Sequence, residues 1–555
     1  MSDASSLLEN LDDQQRVAAE TLLGPVCLLA GAGTGKTRAV THRIAYGVAS
    51  GVYPPGRVMA LTFTARAAGE LRSRLRMLGT EGVTARTFHA SALSQLNFFW
   101  PQVIGGTMPR LLDSKARLLA HAADGLRLRL DTATLRDVAA EIEWRKTSRL
   151  TLAEYAARHR TPPPALGAEQ VIDLQDAYER LKDERRQLDF EDVLLAAAGM
   201  IEAEPRVAQQ VREQYRFFVV DEYQDVSPLQ HDLLRLWLGP HTDVCVVGDV
   251  SQTIYTFAGA SPDYLLGFGS EFSEATVLRL EHNYRSTPAI VSVANRLMRG
   301  RPGALELTAT ATQGPEPVTT AYDSDQAEAR GVAASIAQQL AEGIDASDIA
   351  VLYRINAQAQ ALESALEDAG VAYQVRGATR FFEQREVLEA IMLLRGATVG
   401  AVTGPLERSV GDVLSSIGWT VEPPPTAGAV RSRWESLDAL MGLARQAPAG
   451  TSLRSFVDDL AERQAAQHEP TLSAVTLTTI HSAKGLEWDS VYLIGLAEGL
   501  LPLSHAKDDA AIEEERRLLY VGITRARQRL ALSWAAGSGG ARASRRPSRF
   551  LSTLG

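Results

Sequence analysis

The chain has 555 residues, a formal net charge of −10, 45% hydrophobic and 22% charged residues, and two cysteines. That length predicts about three to four domain-sized units of ordinary globular composition. The acidic total excludes a generic polyanion binder, so any nucleic-acid contact has to be a local groove.

Met1-Ser2-Asp3 opens polar and acidic, and no apolar run approaches the ~18 residues of a membrane span. A cytoplasmic protein with no membrane partner is expected. Cys27 and Cys245 each lie inside an apolar, strand-like run, which predicts core packing rather than a disulfide or a metal cluster.

The first informative element is the apolar run Val26-Cys27-Leu28-Leu29, followed by Ala30-Gly31-Ala32-Gly33-Thr34-Gly35-Lys36-Thr37 and a helix-like stretch through Ile44. Strand, small-residue loop, Lys-Thr and helix is the order a nucleoside triphosphate site requires. Backbone N–H groups of Ala30, Gly31, Ala32, Gly33, Thr34 and Gly35 can curl around phosphate oxygens, with the helix dipole in support. Lys36 would reach the β/γ-phosphates, and Thr37 would offer its hydroxyl to Mg²⁺.

Further along, Phe217-Phe218-Val219-Val220 reads as a buried strand ending in Asp221-Glu222-Tyr223-Gln224-Asp225. An acidic pair at the end of an apolar strand is costly unless it faces a cation or a reacting water. Asp221 is placed to hold Mg²⁺ and Glu222 to orient or deprotonate the attacking water. A third strand, Val244-Cys245-Val246-Val247, leads to Gln252, which could sense a γ-phosphate. Tyr255 and Phe257 follow, and could offer ring faces to bases or serve as core.

These motifs form a series that resembles the UvrD/Rep/PcrA family of superfamily-one DNA helicases, from Leu11 to Leu551. Leu11-Asp12-Asp13-Gln14-Gln15-Arg16 resembles its adenine-reading motif, with Gln15 in the reading position. Leu61-Thr62-Phe63-Thr64-Ala65-Arg66 and Thr87-Phe88-His89 look like its strand-contacting motifs Ia and Ib. Asp221 to Asp225 matches its acidic box. Asn283-Tyr284-Arg285-Ser286-Thr287, then His481-Ser482-Ala483-Lys484-Gly485-Leu486-Glu487, then Tyr520-Val521-Gly522-Ile523-Thr524-Arg525-Ala526 resemble motifs IV, V and VI.

The resemblance implies an α/β protein with two RecA-like P-loop cores, parallel sheets and ATP bound between the cores. It implies that Arg285 and Arg525 act as arginine fingers, that Tyr284 and Arg38 sandwich the adenine, and that Glu487 lies near the ribose and γ-phosphate. It further implies 3′-to-5′ movement on single-stranded DNA, with Phe63, Arg66, His89, Tyr255, Phe257 and His481 as DNA contacts. Single-stranded and 3′-tailed duplex DNA are the implied partners, with DNA repair or replication proteins beside them and a place near the nucleoid.

On this resemblance, core 1A occupies residues 1–90 and 214–280 around a helical 1B insertion at 91–213. Core 2A occupies 281–395 and 473–555 around a reduced 2B-like insertion at 396–472. Leu188-Asp189-Phe190-Glu191-Asp192 resembles a hallmark of 1B, and Phe381-Phe382-Glu383-Gln384-Arg385-Glu386 the segment before 2B.

There are departures from the family pattern. Ala65-Arg66 replaces Asn-Lys, Phe257 stands for Trp, and Ala258 stands for Arg. The 2B region is short, holds the turn-rich Glu422-Pro423-Pro424-Pro425-Thr426, and keeps at most a remnant, Ser409-Val410-Gly411-Asp412, of a duplex-contacting motif. Leu486-Glu487-Trp488-Asp489 matches a short UvrD-type paralogue lacking the four-cysteine and HRDC extension. Arg542, Arg545, Arg546 and Arg549 form a basic run that reads equally as a DNA contact or a solvated end.

The expected activity is therefore an ATP-dependent DNA helicase and translocase. A DNA-dependent translocase that strips proteins but unwinds poorly is the alternative. A P-loop kinase would need neither the arginine pair nor the acidic box, and a nucleotide-gated scaffold would have no need of Glu222.

Overall fold

The computed structural model describes residues 4–554 apart from 159, 161, 164–165, 377–381, 383–384, 399–404, 423–428, 449, 467–473, 505 and 538–543. Of the positions quoted above, Met1, Ser2, Asp3, Phe381, Glu383, Gln384, Pro423, Pro424, Pro425, Thr426 and Arg542 lie outside the described residues. The chain forms two compact units, one of Met1–Gly31 and Gly35–Leu280, the other of Ala32–Thr34 and Glu281–Gly555.

The first unit is built on a six-stranded sheet: β1 (Val26–Ala30), β2 (Val58–Thr62), β3 (Thr84–Thr87), β4 (Phe217–Val220), β5 (Val244–Gly248) and β6 (Thr276–Leu280). Their order is β3-β2-β4-β5-β1-β6, and every pairing is parallel. Strand residues alternate between faces, so the sheet feeds two cores. Cys27, Met59, Leu61, Phe218 and Val246 enter one core, while Val26, Leu28, Ala60, Val219 and Cys245 enter the other. Both cysteines are buried free thiols, and burial pushes the Cys27 thiol up to about 12.

Helix α1 (Lys36–Ala49) leaves the sheet directly after β1. Between β3 and β4 lies a largely helical segment that includes α2 (Thr132–Thr147), α3 (Ala168–Glu184) and α4 (Phe190–Ala203). Its Asp189 caps α4 by accepting from Asp192 N at 3.0 Å, and Asp192 returns a bond from Asp189 N at 3.0 Å. Both carboxylates also receive the buried Lys146 ammonium, at 2.8 and 2.6 Å, and Lys182 joins them. Glu179 takes Lys146 at 3.0 Å, Lys182 at 2.7 Å and Arg145 at 2.6 Å. Three cations thus meet three carboxylates. Burial opposes the charge on Asp189, but Lys146 and Lys182 outweigh it and hold that carboxyl far below the ordinary range.

Removing one partner from such a network strands a buried charge. Lys146→Met is therefore expected to lower stability by about 3–5 kcal/mol, read as a lower urea midpoint of the cooperative unfolding step.

The second unit carries β7 (Val318–Tyr322), β8 (Ile349–Tyr353), β9 (Tyr373–Arg376), β10 (Val475–Thr479), β11 (Trp488–Leu493) and β12 (Ala526–Ala535). The order β7-β12-β11-β8-β10-β9 is again wholly parallel. One face packs Ile349, Val351, Leu477 and Tyr492 against Val332, Ile336, Leu362 and Leu366 of α5 (Asp325–Ala341) and α6 (Ala359–Asp368).

Between β9 and β10 stand α7 (Arg385–Ala397), α8 (Leu406–Ser416), α9 (Ala429–Gln446) and α10 (Leu453–Ala466). These four share a core of their own that includes Val387, Leu394, Leu414, Trp419, Leu440 and Phe456. Ser409-Val410-Gly411-Asp412 falls in the middle of α8 with Val410 buried.

Two members of the C-terminal basic run are ion-paired. Arg545 pairs with Asp325, and Arg549 grips Glu498 through Nε at 3.0 Å and Nη2 at 2.6 Å. Those two guanidinium groups strap the chain end to its own unit. Among the described residues no helix is long and apolar enough to cross a membrane.

Candidate nucleotide site and DNA-facing residues

The strand-to-helix turn after β1 is shaped by glycine. Gly33 and Gly35 have φ of +70° and +78°, a region open to glycine at little cost. Gly35 caps α1, and a Cβ there would sit 2.7 Å from Gln15 Nε2. Gln15 is itself only 2% exposed, and its backbone N donates to the Asp12 carboxylate at 2.7 Å. Arg38 donates to the carbonyl of Asn10, tying that segment to the first turn of α1. Gln15, Gly35, Lys36, Thr37 and Arg38 are therefore one local assembly.

The acidic box follows β4. Asp221 Oδ1 accepts from Glu222 N at 2.9 Å, and Glu222 sits at φ +54°, a left-handed conformation unusual for a side chain of its size. Such strain costs about 1–3 kcal/mol and persists where the surroundings impose it. Lys36 Nζ lies 3.7 Å from Glu222 Oε1. Burial, and then the Glu222 charge, push the Asp221 carboxyl up to about 7 despite the opposing Lys36.

Two carboxylates with one ammonium make a spot short of positive charge. Its donors, a strand-end carboxylate and the Thr37 hydroxyl at the start of α1, are hard oxygens of the kind Mg²⁺ takes. The residues fit that ion.

A relay leads away from this pair. Gln224 Nε2 donates to Glu222 at 2.5 Å, and Gln224 Oε1 accepts from Asp249 N at 3.0 Å. Gln252 Nε2 in turn donates to the Asp249 carboxylate at 2.8 Å. Gln224 and Asp249 were given no role by the sequence reading. Their signal was position, since Asp249 directly follows the buried strand β5 and Gln224 lies in the short turn after β4, the ends at which α/β proteins place ligands.

The aromatic residues after Gln252 join a run of rings. Phe63 is 44% exposed and stacks on Tyr255 with centroids 5.7 Å apart and planes 14° apart. Phe257 is 60% exposed and meets Tyr255 edge-on at 6.1 Å. His89 presents its ring to the edge-on Phe190 at 5.9 Å, and burial with Lys115 nearby lowers its pKa to about 4. Arg66 is exposed.

In the second unit Asn283 organises the segment before α-helical Pro288–Met298. Its Oδ1 accepts from Arg285 N at 3.0 Å and Ser286 N at 2.8 Å, and its Nδ2 donates to Ala32 O at 2.7 Å. Asn283 is a further residue the sequence reading left without a role, and an Asn that caps its own turn was the available signal. Tyr284 is half exposed, and its N donates to Gly33 O at 2.9 Å.

Arg285 pairs with Glu487 and donates from Nη1 to Thr524 O at 3.1 Å. Ser286 Oγ donates to Ala526 O at 2.6 Å, and Thr287 N to Arg527 O at 3.0 Å. Arg525 is buried, with Nε on Val521 O at 3.0 Å and Nη1 on Leu486 O at 3.2 Å. Segments around 285, 487 and 525 are thus stitched into one piece. The His481 pKa is lowered to about 4 by burial and by Arg354 and Lys484.

The sequence matches the family model for the UvrD/REP helicase N-terminal domain over residues 11–273. It also matches the UvrD-like helicase C-terminal domain over residues 278–420 and 429–537. The chain belongs to the UvrD/REP helicase family.

Within that family it is 49% identical to the ATP-dependent DNA helicase UvrD2 of Mycobacterium tuberculosis (strain CDC 1551 / Oshkosh), across all of this chain and 83% of that one. It is 30% identical to DNA helicase II of Escherichia coli (strain K12), across all of this chain and 88% of the relative. UvrD1 of Mycobacterium tuberculosis (strain ATCC 25618 / H37Rv) is 30% identical over 96% of this chain and 83% of its own length. Family membership and the two parallel sheets together make this a protein of two RecA-like cores.

Proposed function

We propose that the chain is an ATP-dependent DNA helicase that walks 3′ to 5′ on single-stranded DNA. The observation that carries this is the strained acidic pair Asp221–Glu222 set beside Lys36 after β4. A pure binder has no use for a carboxylate held in a costly conformation beside a phosphate loop. Family membership and the helicase activity for which the relatives are named support the same reading.

In this reading the loop from Ala30 to Gly35 wraps the phosphates with N–H groups, and Lys36 neutralises the β- and γ-oxygens. Thr37 and Asp221 hold Mg²⁺, which would supply charge neutralisation across the phosphates. Glu222 positions and deprotonates the attacking water, while Gln252 reports on the γ-phosphate through the Asp249–Gln224 relay. Arg285 and Arg525 stabilise the charge that develops on the transferred group, with Glu487 beside them. Gln15 reads the adenine edge, and Arg38 and Tyr284 flank its faces.

Phe63, Tyr255 and Phe257 form a stacking surface tolerant of any base, with Arg66, His89 and His481 adding backbone and edge contacts. The boundaries proposed are 1–90 and 214–280 for core 1A, 281–395 and 473–555 for core 2A, and 91–213 and 396–472 for the two insertions.

A second reading, a walker that strips proteins but separates strands poorly, is favoured by one observation. The described part of the 2B insertion amounts to three helices, α8 to α10, which close with α7 on one small core, and the remnant at 409–412 lies inside α8.

Strand separation on a 3′-tailed duplex, run beside DNA-stimulated ATPase and streptavidin displacement from either DNA end, tests both. Hydrolysis strongly raised by single-stranded DNA, unwinding of the tailed duplex, and clearance of the 5′-end block are expected. Displacement without unwinding selects the second reading, and DNA-independent hydrolysis overturns both.

A further inference from the structure

We propose that Arg527 is a positioning residue of the ATPase cycle, holding Glu487 in place when Arg285 leaves that carboxylate for the nucleotide. The inference rests on reading Arg285 as a γ-phosphate finger. Glu487 divides its two oxygens between two arginines. Oε2 faces Arg285, while Oε1 accepts from Arg527 Nη2 at 2.8 Å and Nε at 3.2 Å.

Arg527 is anchored in turn, with Nη1 on Asp489 Oδ1 at 3.3 Å and its own carbonyl accepting from Thr287 N at 3.0 Å. Two guanidinium groups and two carboxylates balance in this cluster.

The energetic argument concerns what stays behind when Arg285 turns to a phosphate. Glu487 is about one-third exposed, and burial alone would favour its neutral form. Arg285 and Arg527 together outweigh burial and keep its carboxyl below the ordinary range. With Arg527 present, the departure of Arg285 leaves an ionised Glu487 still doubly hydrogen-bonded. Without it, the same departure strands a partly desolvated carboxylate, whose unpaired charge pulls Arg285 back. Arg527 therefore lowers the cost of releasing the finger, and Asp489 keeps Arg527 aimed.

The test is steady-state ATP hydrolysis with saturating single-stranded DNA. Arg527→Met is expected to lower kcat about tenfold, with KM for ATP and DNA affinity within about twofold, because the fault lies in finger release rather than binding. Arg527→Lys should recover most of the lost rate. In the double variant Arg527→Met/Glu487→Gln the trap has lost its charge, so the rate should match Glu487→Gln alone. Asp489→Asn, a milder change that leaves Arg527 in place, should cost about two- to threefold in kcat.

Full kcat in Arg527→Met, or Arg527 and Glu487 losses that simply multiply, would overturn the proposal. If Arg527→Met does not fold, an unchanged rate in Asp489→Asn overturns it instead. Failure of the underlying reading looks different, since Arg285→Ala would then keep its rate.

Discussion

Lys36→Ala and Glu222→Gln are each expected to remove DNA-stimulated ATP hydrolysis, lowering kcat by about 10²–10⁴. The two act differently. Lys36 stands at the first position of α1, so its loss removes a point charge from the phosphate loop and should also weaken ATP binding. Glu222→Gln keeps the volume and most hydrogen bonds but loses the basic oxygen, so ATP should still bind and simply not turn over. Phosphate release measured with and without single-stranded DNA, beside fluorescent-nucleotide binding and thermal unfolding, separates these outcomes. Turnover surviving in either variant would sink the assignment of the site.

Arg285→Ala and Arg525→Ala should also cripple hydrolysis, by about 10³–10⁵ if each acts as a finger on the transferred phosphate. Arg525 needs a control, because it is 2% exposed and its guanidinium ties Val521 and Leu486 carbonyls together. Arg525→Lys keeps the charge while losing the fork, and should fold where Ala fails. Arg285 sits on a more open loop and should tolerate truncation. DNA binding without nucleotide should survive in Arg285→Ala, and an intact rate in that variant would remove the finger from the mechanism.

Much of this was legible in the residues. The phosphate loop is encoded locally, because glycine is what an abrupt strand-to-helix turn needs and Lys-Thr begins the helix. The acid pair was legible because two carboxylates closing the run Phe217-Phe218-Val219-Val220 make no sense as core. The parallel sheets followed from apolar strands alternating with helical runs.

What escaped depends on contacts far apart in sequence. Lys146 and Asp189 are 43 residues apart, and no local pattern says that three cations and three carboxylates will close on one another inside the first unit. Arg527 carries no mark in the sequence, and only the pairing of β11 with β12 sets it beside Glu487 and Asp489. Gln224 and Asp249 were visible as polar residues following apolar strands, but their bond to each other depends on how β4 and β5 pair. The ion pairs of the basic run near the C-terminus were hidden for the same reason, since Asp325 and Glu498, which claim Arg545 and Arg549, lie 220 and 51 positions away in the chain.

The stitching of Arg285 to Thr524, of Ser286 to Ala526 and of Arg525 to Leu486 has a mechanical corollary. The backbone segments that carry these two arginines are thereby parts of one chassis, while the Arg285 side chain can still swing from it. On the reading proposed above, any shift of that chassis would carry both arginines together.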